Sequence, residues 1–255
     1  MTHVLEERSA AGVRSVAPLR RTALVLATAA TALAGLGAAD TAPAAAAKVA
    51  QTQELAVFVQ GQTAMARPDN RSARRVWVER RRPITEGTTV LPVIGHRTDA
   101  RGARWLRVRL PGRPNNGTGW IRKNRTTGAS TRWHLVVDLS DRTVAAYSGG
   151  RLVRSFAGVV GSQRTPTPTG RFFVEESVAL RPGDVGAPYA IALSARSYVL
   201  QEFAGGPGQI ALHGVWNVGG TMGTAASHGC VRLDTASIRW LGERIGPGVP
   251  VTIRR

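Results

Sequence analysis

The chain reads as an all-β protein with a single helix, a sandwich or barrel built from short strands. From Arg104 to Leu110, Leu106, Val108 and Leu110 alternate with Trp105, Arg107 and Arg109, the period-2 pattern of a half-buried strand. Short β-type runs recur along the chain, bounded by Gly, Pro, Asn and Asp turn signals. Only the stretch after Asp234 carries a helical period. Ile238, Leu241 and Ile245 share one face there, Asp234 is an N-cap candidate and Gly246 is the stop signal.

Residues 1–47 have the form of a secretory leader. Arg20 and Arg21 precede an apolar run from Thr22 to Gly37, and Ala- and Pro-rich sequence follows through Ala47. The run of 16 residues is shorter than the ~20 a membrane-crossing helix needs. No cysteine follows it, so neither a lipoprotein anchor nor a stable membrane anchor is expected. Cleavage is expected near Ala46 or Ala47, with a site after Ala39 as the alternative. The paired arginines leave a Tat route open beside Sec. An exported protein, secreted or in the cell wall, is the expectation.

Residues 48–72 show no sustained period and read as linker. A first compact unit is expected over 73–124, with strands at Val76–Val78, Thr88–Val93, Arg104–Leu110 and Gly119–Ile121. Its order WLRVRLPGRPNNGTGWI resembles bacterial SH3-like modules. The second unit, 131–255, carries strand signals at His134–Leu139, Thr143–Tyr147 and Arg151–Phe156, joined by turns at Asp141-Arg142 and Gly149-Gly150. The prolines of Thr165-Pro166-Thr167-Pro168-Thr169-Gly170 exclude a central strand. Strand signals resume at Phe172–Val174, Gln209–His213 and Val249–Ile253, with a Gly- and Pro-containing loop from Ala179 to Pro188 between the first two.

The formal net charge is +18, and Lys48 and Lys123 are the only lysines among 34 basic residues. Such a surface attracts polyanions, and acidic wall polymers are one candidate partner. No basic run interleaved with aromatics forms a nucleic-acid platform, so nucleic acid is not expected as a partner.

Cys230 is the sole cysteine, in the run Ser227-His228-Gly229-Cys230-Val231-Arg232-Leu233, with His213-Gly214 upstream. A lone thiol makes no internal disulfide, so its value lies in packing or reactivity. The thiolate is the reactive form and needs cationic or hydrogen-bonding neighbours. Three readings of His213, His228 and Cys230 stand at this point. They are a cysteine nucleophile with a histidine base, a zinc site, or a coincidence of one core and one loop histidine. Zinc sites usually pair their ligands at fixed spacings, and no second cysteine exists, so no metal or cofactor is expected.

These residues, together with the Thr165–Gly170 run and the strand Val136-Val137-Asp138-Leu139-Ser140, resemble the YkuD-type L,D-transpeptidases of bacterial cell walls. The resemblance implies a β-sandwich catalytic domain with one helix after the cysteine. It implies a peptidoglycan enzyme that takes a stem tetrapeptide, expels D-alanine, forms a thioester on Cys230 and makes 3→3 cross-links. An L,D-carboxypeptidase, or a wall-binding protein that has kept the fold without turnover, are the alternatives. On this resemblance His213 is the base, while the backbone N–H groups of Gly229 and Cys230, with His228, serve the oxyanion. Ser227 supports the loop, and Arg232, Gly214 and Trp216 face the substrate. For Arg232 a structural salt bridge, and for Trp216 an ordinary core position, are equally open. Met222-Gly223 stands where the family often has Leu-Gly. The unit over 73–124 has no cysteine and is expected to add wall affinity rather than chemistry, leaving a chain that begins near Thr131 active.

Overall fold

The computed structural model describes residues 49–202 and 206–255; the expected leader, 1–47, lies outside them. Among the described residues strands dominate, and they fall into two sheets of seven and eight strands and a two-stranded ribbon, with one α-helix.

The seven-stranded sheet contains β1 (Gln53–Phe58), β2 (Gln62–Met65), β3 (Arg74–Val78), β4 (Val90–Thr98), β5 (Arg104–Arg109), β6 (Thr118–Arg122) and β7 (Thr126–Thr131), in the order β3-β2-β6-β5-β4-β1-β7. The expected linker over 48–72 is therefore corrected: it supplies two strands of this sheet. In β1, Leu55, Ala56 and Phe58 are all buried. The strand is covered on both faces, so its sequence lacks the alternation that marks a half-buried strand. β7 is missing from the sequence reading for the opposite reason, since four of its six residues are exposed and none is a large apolar residue. In β5, Leu106 and Val108 are buried as expected, but Trp105 is buried too. Its indole N–H donates to Asp99 Oδ2 at 2.9 Å, and the Arg122 guanidinium covers its ring at 4.2 Å.

The larger sheet takes β8 (Trp133–Asp138), β9 (Thr143–Ser148), β10 (Arg151–Ala157), β12 (Gly170–Ala179), β13 (Tyr189–Arg196), β14 (Gln209–Gly214), β16 (Val231–Leu233) and β17 (Pro250–Arg254). Two short strands, β11 (Val160–Gly161) and β15 (Ala225–Ser227), pair separately. β12 serves both halves of a sandwich. Gly170–Phe173 pairs with β17, and Val174–Ala179 pairs with β13 across a register shift between Val174 and Glu176. A bulge of this kind bends a strand, and the two halves enclose one core. Leu135, Val144, Leu193, Leu212 and Val251 share it with Ile238 and Leu241 of the helix α1 (Thr235–Gly242). Asp234 caps α1 by accepting from Ser237 N at 2.9 Å. The helix stops at Gly242, short of the expected Gly246, but Ile245 stays buried through a further turn bonded to Leu241 O at 2.8 Å.

The two sheets meet along β12. Phe173 is buried in the N-terminal core with Phe58, Leu91 and Val108. Glu175, with a side chain wholly out of solvent, pairs with Arg82 and with Arg196 at 2.9 Å. Glu176 Oε2 accepts from both Thr85 N and Thr85 Oγ1, at 2.7 and 2.8 Å. Neighbouring residues of a regular strand point to opposite faces; the bulge lets both acids bury at the seam.

Candidate active site

β14 and β16 are parallel neighbours, with Leu212 opposite Val231, His213 opposite Arg232 and Gly214 opposite Leu233. Ile210, Leu212, Val231 and Leu233 go to the core, while Ala211, His213, Cys230 and Arg232 remain partly exposed. His213 lies on β14 and Cys230 immediately before β16, so the pairing of these strands brings the two stretches of backbone together although 16 residues separate them along the chain.

His213 Nδ1 lies 2.8 Å from Gly214 O. A carbonyl only accepts, so Nδ1 carries the proton and the neutral ring keeps a lone pair on Nε2. Burial lowers the His213 pKa; the bond to Gly214 opposes this and the Arg232 charge adds to it. Burial raises the Cys230 pKa, against a hydrogen bond from the Ala211 backbone and the Arg232 charge. Both shifts favour the uncharged pair at rest. The thiol points at Gln209 O, 4.0 Å away.

The loop carrying the cysteine is tied down by hydroxyl groups. Ser227 Oγ donates to Cys230 O at 2.5 Å and accepts from Gly229 N at 3.1 Å. Thr167 Oγ1 donates to Gly229 O at 2.8 Å and accepts from Gly161 N at 2.9 Å, and Thr165 Oγ1 donates to Ser227 O at 3.0 Å. Thr165 and Thr167 of the Thr165–Gly170 run are thus loop supports, a role the sequence reading left unassigned. Gly229 adopts φ +117°, and a Cβ there would come within 3.1 Å of Ile210 Cδ1, so glycine is required.

Three expected roles are altered by this geometry. The Gly229 N–H is already donated to Ser227 and is not open to an oxyanion. Gly214 is buried, with its N–H on Gly186 O at 2.7 Å and its carbonyl on His213. A Cβ on it would meet Ala187 O at 2.1 Å, so it seats the 180–188 loop rather than substrate. Arg232 Nη1 donates to Val218 O and Gly219 O at 3.1 and 3.3 Å, holding the loop after β14; among the described residues it forms no salt bridge.

Trp216 is 54% exposed, so it is not a core residue. It borders a hollow of about 320 Å³ shared with Leu180, Pro188 and Arg239. His228 is exposed and lines a narrow cleft at Cys230 with Ser197, Leu200, Gly208 and Ile210. That cleft has a volume of about 20 Å³, roughly room for one water.

Residues 132–253 match the family model described as the YkuD L,D-transpeptidase catalytic domain. The YkuD protein of Bacillus subtilis is 28% identical over 123 residues, 48% of this chain and 66% of that protein. That of Bacillus licheniformis is 29% identical over 121 residues, 48% of this chain and 65% of the relative. The match spans just under two thirds of these relatives' length. Among solved structures, an L,D-transpeptidase from Mycobacterium tuberculosis aligns with a TM-score of 0.42 and 17% identity, over 65% of this chain and 90% of that one. One from Mycobacterium smegmatis aligns with a TM-score of 0.37 and 17% identity, over 65% and 99%. Residues 132–253, a β-sandwich that carries His213 on β14 and Cys230 just before β16, thus match the YkuD-type L,D-transpeptidase catalytic domain.

Proposed function

We propose that the chain is an exported peptidoglycan L,D-transpeptidase in which Cys230 is the nucleophile and His213 the general base. The observation that carries this reading is the His213 Nδ1 bond to Gly214 O, which leaves Nε2 as the proton acceptor on the strand next to the one that Cys230 precedes. With thiol and imidazole both uncharged at rest, proton transfer accompanies attack; a standing thiolate–imidazolium pair is disfavoured.

The donor is a stem tetrapeptide. Sγ attacks the carbonyl of its third residue while Nε2 takes the thiol proton. The tetrahedral oxyanion is served by the Cys230 N–H and by His228, each such donor being worth roughly 10²–10³ in rate. Collapse breaks the amide bond, His213 returns its proton to the leaving amine, and D-alanine departs. A thioester remains on Cys230. The side-chain amine of another stem's third residue then attacks it, giving the 3→3 cross-link and restoring the thiol. Water in place of that amine gives L,D-carboxypeptidase activity.

The test is incubation of the full chain with a stem tetrapeptide, with and without an acceptor stem, read by mass spectrometry. Release of D-alanine, an acyl adduct on Cys230 and a cross-linked product are expected. Cys230→Ala should lose all three while melting within a few degrees of the parent, because the thiol fills little of the core. Normal turnover by that variant would overturn the reading. Wall binding without any adduct on the parent protein would favour the non-catalytic alternative.

A further inference from the structure

The N-terminal sheet sends one loop to the catalytic cleft. The connection between β5 and β6, residues 111–117, docks on the sandwich through its asparagines. Asn115 donates to Arg196 O at 2.7 Å and accepts from Arg196 N at 2.8 Å, capping β13 much as a neighbouring strand would. Asn116 Oδ1 accepts from Arg171 N at 2.7 Å. Between these anchors and β5 stands Arg113, whose guanidinium donates to three backbone carbonyls: Ser197 O at 2.8 Å, Leu200 O at 3.1 Å and Pro207 O at 2.9 Å.

Those carbonyls belong to the segment that joins β13 to β14, and Ser197, Leu200 and Gly208 from it form one wall of the cleft at Cys230. One cation thus grips both ends of the wall. The ends pass very close: Ser197 N donates to Gly208 O at 2.8 Å. A Cβ on Gly208, at φ +63°, would lie 1.9 Å from Leu200 O and 3.2 Å from Arg113 Nη2. A rigid planar fork with five donors suits this task, and a lysine ammonium cannot span three carbonyls in the same way. The cleft holds only about 20 Å³, so any acyl donor must fit against this wall, and a misplacement of about 1 Å can cost ~10²-fold in rate.

We propose that Arg113, from the N-terminal sheet, is a positioning residue that sets the wall of the Cys230 cleft for the acyl donor. The proposal rests on the transpeptidase reading for its kinetic consequence, but not for its structural one.

The test uses the full chain with Arg113→Ala and Arg113→Lys and three readouts. Hydrogen exchange over residues 197–202 should quicken at least severalfold in both variants, with β14 and β16 unchanged. Alkylation of Cys230 by iodoacetamide, a small reagent, should hold or rise. Acylation by a stem tetrapeptide should fall about 10–100-fold in kcat/KM, mainly through KM, with lysine failing to rescue. Unchanged exchange and wild-type acylation in Arg113→Ala would overturn the proposal. So would full rescue by Arg113→Lys, which also decides the matter if the alanine variant does not fold. If the parent protein is itself not acylated by tetrapeptide, the transpeptidase reading fails. In that case the exchange and alkylation arms still decide whether Arg113 sets the wall.

Discussion

The seam along β12 and the cleft at Cys230 both bury ionisable groups, and they resolve that burial in opposite ways. At the seam each acid has partners: Glu175 lies between Arg82 and Arg196, and Glu176 takes two bonds from Thr85 with Arg82 3.8 Å away. Burial lowers the pKa of Arg82, and that of Arg196 to about 10, which leaves Arg196 protonated at neutral pH. At the cleft, among the described residues, no acid shifts His213, and the Arg232 charge acts on both members of the pair. Burial there favours the neutral thiol and the neutral imidazole. Paired burial gives a fixed joint, whereas unpaired burial leaves two groups one proton transfer away from reaction.

The largest expected effect tests the joint. A chain beginning at Thr131 would expose Phe173 and remove Arg82 from Glu175, so it should fail to give a soluble folded domain. This revises the sequence-based expectation that such a chain stays active. Circular dichroism and acylation of the truncated chain would check it, and a cooperative melt with normal acylation would show that the seam is dispensable.

His213→Ala comes next, with a fall in acylation of ~10²–10⁴ from loss of the base. The pH profile tests the same point. With its pKa lowered by burial, His213 remains a competent base through neutrality. The acid limb of kcat/KM should therefore lie below the ordinary histidine value of about 6.5, with activity lost as pH falls through it. In the alanine variant that limb should vanish, and the residual rate should climb with pH beyond the usual thiol range. A limb above 6.5 in the parent would mean that the charged pair is the resting state after all.

At the seam, Arg82→Ala should destabilise the fold by about 3–5 kcal/mol, because it leaves a buried carboxylate with one partner. Urea denaturation measures this. A loss below about 1 kcal/mol would mean that water reaches Glu175 and that the contrast with the cleft is weaker than the geometry implies.

The smallest effect concerns His134, where the seam departs from its own rule. Its Nε2 lies 2.9 Å from Thr252 Oγ1, and burial, with Arg171 and Arg109 nearby, lowers its pKa to about 4. The unfolded chain binds this proton near pH 6.5 and the folded chain only near 4. Stability is therefore intact above 6.5 and is lost as pH falls between those values. The loss is about 3 kcal/mol, and His134→Gln should flatten that part of the stability profile in urea melts at several pH values.

The sequence by itself pointed to the family of the catalytic domain and to much of the scaffold. Cys230 and His213 stand out because few residue types perform acyl transfer. β5, β8, β9 and the cap of α1 stand out because alternation, turns and an N-cap aspartate are local signals. Only the tertiary structure decided the rest. β1 and β13 lack an alternating pattern because consecutive residues in them are buried, and β7 has no large apolar residue. The roles of Gly214 and Gly229 turned on which partner reached their backbone groups first. The seam acids, the threonine supports and Arg113 act on residues 60 to 95 positions away. A one-dimensional pattern records how a residue meets its own neighbours along the chain, while burial, pairing and proton affinity depend on what the fold brings beside it.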